Sequence, residues 1–117
     1  RFKVTALGTV HDNAPALAWR IETGGKVVVL AGEVGETDSL APLVQGAHLL
    51  VAHIAIDSGK GATPEALGRF AQNARVGQLI VVHRHGNAAR EEALLASLRK
   101  AFSGTVTLAD DLACFTP

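Results

Sequence analysis

The sequence predicts an α/β domain built on a mixed sheet, antiparallel at its N-terminal end and continuing as β-α-β-α-β. Three observations carry this. Apolar, β-branched runs separated by turn residues fill the first third; strand-length and helix-length apolar patterns alternate after residue 37; and the links between them are short. Strands joined through helices imply right-handed crossovers and a parallel core.

The elements follow in order. Phe2 to Val10, Ala16 to Ile21 and Lys26 to Ala31 read as strands, separated by Asp12-Asn13-Ala14-Pro15 and by Gly24-Gly25. Ser39 to Val44 is a short helical segment opened by Asp38, and Ala47 to Ala52 a buried strand. The next helix has clear punctuation: Thr63 as N-cap, Pro64 at the first helical position and Glu65 in the first turn. Its residues Leu67, Phe70, Ala71 and Ala74 recur at helical spacing, so one face requires cover. Gln78 to Val82 is a nearly continuous apolar strand. Ala88 to Phe102, after Asn87 as N-cap, is a helix with Leu94, Leu95, Leu98 and Phe102 along one side, and Gly104 stops it before the strand Thr105 to Ala109. A last strand-like run spans Asp111 to Phe115. No internal repeat, linker or low-complexity stretch interrupts the 117 residues, which suit a single domain.

Composition bounds the function. An apolar content of 48% is far above that of a disordered segment, but so short a chain has a modest core. Lys plus Arg and Asp plus Glu both total 11, and no basic run occurs, which argues against a strong nucleic-acid surface. No apolar stretch is long enough to span a membrane. With Cys114 alone, no internal disulfide can form, and a reducing cytoplasm is the expected location. The chain begins at Arg1 without an initiator methionine, which implies processing, an engineered boundary or a missing N-terminal portion.

His11, Glu33, His53 and His83 each fall just past the C-terminal end of a predicted strand, the edge where open α/β sheets bind ligands. Imidazole nitrogen and carboxylate oxygen both suit zinc, and such a set with an open position can acidify a bound water. None of the four is close in sequence to another, and each has a structural alternative: a satisfied or exposed histidine, or, for Glu33, a cap on the helix that follows. His85 is expected to line the mouth of the site, while His48, at a strand start, lies on the wrong edge. Asp110 and Asp111 are adjacent and would diverge, so a turn suits them better than paired acid/base work. Cys114, in Leu112-Ala113-Cys114-Phe115, is expected in the core. Gly32 and Gly35 match neither a phosphate loop nor a dinucleotide fingerprint.

The stretch from Lys26 to Leu40, Lys-Val-Val-Val-Leu-Ala-Gly-Glu-Val-Gly-Glu-Thr-Asp-Ser-Leu, resembles the metallo-β-lactamase superfamily's strand ending in Ser-Gly-Asp-Thr and the helix after it. The likeness extends over nearly the whole chain. Val10-His11 with Ala16 to Glu22 is similar to a family histidine preceding a Gly-Tyr-Arg-Ile strand. Gly46 to Ala55 matches the next strand, Thr63 to Ala74 a Thr-Pro-Glu helix, and Leu79 to His83 a strand ending in a ligand histidine. The nearest branch holds arylsulfatase-like and tRNA 3′-end-processing enzymes.

The resemblance implies the C-terminal half of an αβ/βα sandwich, with metal held between two halves and a metal-bound hydroxide attacking an ester, phosphodiester, lactam or thioester. Position by position, it makes His11 a ligand of one metal, Glu33 the bridging carboxylate and His83 a ligand of the second metal, while His53, the catalytic candidate, falls near the family's His-Glu pair, one position out of register. Three departures qualify this. The His-x-His-x-Asp-His motif is absent, so one copy cannot complete a binuclear site; Glu33 replaces Asp; and Gly61-Ala62 replaces a histidine before the Thr-Pro-Glu helix. Two functions are therefore expected alternatives: a portion of a zinc-dependent hydrolase acting on a small-molecule ester or a phosphodiester, or a metal-free module for binding or assembly. Either way, an apolar sheet face is expected to seek a partner, a second copy in a homodimer or the missing N-terminal half.

Overall fold

The computed structural model describes residues 1–11, 13–54, 61–84 and 86–117, with the backbone alone for His11. Three strands come first: β1 (Phe2–His11), β2 (Ala14–Thr23) and β3 (Lys26–Glu33). Asn13, at φ 67°, and Gly24 and Gly25, both at positive φ, supply the left-handed backbone that turns between them need. β2 reaches back to Ala14 and out to Thr23 because β1 offers it a full ladder of partners, from His11 opposite Ala14 to Phe2 opposite Thr23.

Beyond β3 the segment predicted as one short helix is a 3-10 turn, Asp38–Leu40, leading into α1 (Ala41–Val44). β4 (Leu49–His53), α2 (Pro64–Asn73), β5 (Gln78–Val82), α3 (Ala88–Ala101) and β6 (Thr105–Leu108) complete the order. Thr63 caps α2, its hydroxyl accepting from the Ala66 N–H, and Asn87 caps α3 in the same way through the Arg90 N–H.

The sheet runs β1-β2-β3-β4-β5-β6, antiparallel among the first three and parallel from β3 onward. All crossovers step in one direction. Helices with a common handedness of crossover then fall on one face of the sheet, and the core lies there: Ala18, Val29, Leu50, Leu79 and Val106 pack beneath Leu43, Leu67, Ala71, Leu94 and Leu98. The face that α2 must cover is met by α3, and Phe102 closes the end of that layer.

The other face is apolar and mostly bare. Cross-strand pairing links Trp19 to Ala6 and Leu30, Leu30 to Val51, and Val51 to Ile80, so these side chains share it. Phe2 is 69% exposed there and Leu17 53%. Ile80 is the exception at 1%. The C-terminal residues return across this face, where the Thr116 carbonyl accepts from Gln78 Nε2 at 3.1 Å.

That return corrects two expectations. Asp111 to Phe115 is no strand: the Ala113 N–H bonds the Asp110 carbonyl in a turn, and Leu112 sits at φ 65°, 99% exposed. The turn at Asp110 and the left-handed backbone of Leu112 take the chain out of the sheet after β6. Cys114 is consequently exposed instead of buried in the core. Among the described residues, no helix is long and apolar enough to cross a membrane.

Candidate functional site at the strand ends

β1, β3, β4 and β5 run the same way, so their C-terminal ends share one edge. His11 ends β1, Glu33 ends β3, His53 ends β4 and His83 directly follows β5. Glu33 and His53 are Cα partners across the parallel ladder, and Val82 lies opposite His53.

A β-bulge decides which way Glu33 points. Leu30 pairs with Val51, but Gly32, not Ala31, pairs with Ala52. Simple alternation would put Glu33 on the helix-covered face with Val29 and Ala31. One extra residue reverses that parity and brings Glu33 to the bare face, level with His53. Gly32, at φ 66°, supplies the backbone the bulge requires.

The side chains converge accordingly. His53 Nδ1 lies 3.5 Å from Glu33 Oε2, with the two side chains 16% and 17% exposed. The His83 ring packs edge-to-face on His53 at 4.4 Å between centroids and 73° between planes. Together with Thr9, Leu17 and Gly32 these residues line an open cleft of about 410 Å³ on the bare face. The backbone then continues the clasp, with the Val34 N–H bonding the His53 carbonyl and the Ala62 N–H bonding the Val34 carbonyl.

His48 is at the opposite edge, as expected, its Nδ1 accepting the Val27 N–H at 3.2 Å. His85 lies outside the described residues. Asp110 and Asp111 form no pair in the cleft, and Asp110 instead accepts from Arg84. Two features escaped the sequence reading: the bulge, whose only signal is a glycine inside a strand pattern, and the Arg84 hydrogen bonds, which depend on residues up to 26 positions away.

The topology, one helix-covered face and one bare apolar face, can be set against solved structures. YhfI from Bacillus subtilis, a metallo-β-lactamase fold protein, superimposes with a TM-score of 0.78 and 28% identity over 92% of this chain. This chain is one half of a metallo-β-lactamase fold. Human tRNase Z, short form, matches over 96% of the chain with a TM-score of 0.68 and 21% identity. Tm1679, a metal-dependent hydrolase of the β-lactamase superfamily, matches over 86% with a TM-score of 0.56 and 12% identity. The chain spans only 46%, 40% and 42% of those three structures. No family model matches the sequence, and no curated protein shows significant similarity to it.

Whether this half-fold suits a metal turns on the donor set. One carboxylate and two imidazoles are the right chemistry for zinc. Among the described residues, however, no group of three or more donors is arranged to hold an ion. Glu33, His53 and His83 are donors of the right kind, and the side chain of His11 lies outside the described residues.

Proposed function

We propose that this chain is the C-terminal portion of a metal-dependent hydrolase of the metallo-β-lactamase fold, acting on an ester or phosphodiester. The convergence of Glu33, His53 and His83 on one cleft, through a bulge that turns Glu33 toward His53, supports this reading most strongly. Glu33, His83 and His11 would hold zinc together with donors from outside the chain. The metal's contribution would be an acidified water and a polarised substrate oxygen. His53 would act beside it: Glu33 Oε2 faces its Nδ1, which leaves Nε2 to give a proton to the departing oxygen.

Elemental analysis of the purified protein and of His83→Ala tests the metal assignment. Bound zinc that falls in the variant is the expected result. Zinc content unchanged by His83→Ala removes His83 from the site. Hydrolysis of a chromogenic phosphodiester that is lost in His53→Ala would support the catalytic role.

A second reading has its own support. The bare apolar face suits a metal-free module that serves in binding or assembly, and wild-type protein without zinc or hydrolytic activity would favour it.

A further inference from the structure

We propose that Arg84 is a positioning residue for His83, setting the packing of its ring on His53; this rests on reading Glu33, His53 and His83 as a site. His83 has a backbone φ of 54°, which L-residues rarely adopt and which the surrounding structure must impose. The residue that follows it is held at three points. Arg84 Nε donates to the Ala109 carbonyl at 3.1 Å, one terminal nitrogen to Glu91 Oε1 at 2.6 Å and the other to Asp110 Oδ1 at 2.5 Å. Those acceptors stand on separate elements: Glu91 in the first turn of α3, and Ala109 just past β6, where its own N–H bonds the Val81 carbonyl of β5. A planar guanidinium anchored on the part-buried Ala109 carbonyl and Glu91, with exposed Asp110 as a third acceptor, directs the chain as it leaves β5. The left-handed turn at His83 is the consequence, and with it the edge-to-face contact with His53.

The test compares Arg84→Met and Arg84→Lys in the full chain, reading the nuclear Overhauser effect between the His53 and His83 rings without metal and the affinity for Zn²⁺. Arg84→Met is expected to lose the inter-ring signal and to weaken Zn²⁺ binding by about tenfold or more. Arg84→Lys is expected to recover part of the signal, since an ammonium can reach one carboxylate but cannot reproduce the fork. An Arg84→Met protein with the wild-type inter-ring signal, whatever its stability, overturns the proposal. If that variant does not fold, Glu91→Ala with Asp110→Ala keeps Arg84, removes two acceptors and carries the same expectation and the same overturning result. Wild-type protein that binds no Zn²⁺, with the ring signal still lost in Arg84→Met, would sink the hydrolase reading while supporting the role of Arg84.

Discussion

At the scale of single residues, Gly32 supplies the bulge that turns Glu33 toward His53. Its φ of 66° is left-handed, yet a Cβ there would meet nothing within 4 Å. Gly32→Ala should therefore lose stability through backbone strain alone, by about 1–2 kcal/mol, read from the midpoint of urea denaturation. A variant as stable as wild type would mean that the bulge relaxes easily. Away from the cleft, Glu22 accepts a hydrogen bond from Arg20 Nε at 2.9 Å, and this bond, followed by the charge of Arg20, lowers its carboxyl pKa below 4.5. A lowered folded-state pKa means that the contribution is present above the ordinary carboxylate value and is lost as pH falls through the lowered one. An NMR titration should place the Glu22 midpoint below 4.5 and return it toward that value in Arg20→Met. The Glu22 carboxylate is partly open to solvent, so the effect on stability will be small.

Among the elements, the helical layer is assembled at close range. A Cβ on Gly68 of α2 would sit 2.9 Å from the Leu98 carbonyl oxygen and 3.0 Å from Ala101 Cβ on α3. Alanine is the better helix former, so in isolation Gly68→Ala would favour α2. Here the backbone of α3 stands in the way. Overpacking of this kind costs about 1–3 kcal/mol, so net destabilisation is expected, and a raised melting temperature would show that the two helices can slide apart. Arg20 makes a comparable link on the other side of the layer, donating to the Leu43 and Gln45 carbonyls at 2.9 Å each and so tying β2 to the end of α1.

For the whole molecule, the decisive feature is the bare sheet face. Phe2, Val4, Leu17, Trp19 and Leu30 all stay exposed on it, and covering such surface yields about 25 cal/mol per Å². Association of this chain, with itself or with the rest of its fold, is the expected outcome of sedimentation at micromolar concentration. A stable monomer would overturn that, and Leu17→Lys should shift any self-association toward monomer. The C-terminal residues cover the β5 side of the face, at Ile80, and leave the β1 to β3 side open.

What the sequence by itself determined was local and periodic. Strand and helix positions, the Thr63 and Asn87 caps and the mixed sheet all follow from runs of a few residues, and so does the placing of His11, Glu33, His53 and His83 at strand ends. The family motif added the identity of the half-fold. Tertiary structure alone decided the direction of each side chain. Glu33 meets His53 because one extra residue inverts strand parity, and His83 meets His53 across a left-handed turn at the end of β5. It also decided the fate of the last residues, where an apolar run reads as a strand but a turn at Asp110 directs it across the sheet. A glycine in a strand or a pair of aspartates signals that a turn or bulge can form, but which side chains it brings together depends on segments distant in sequence.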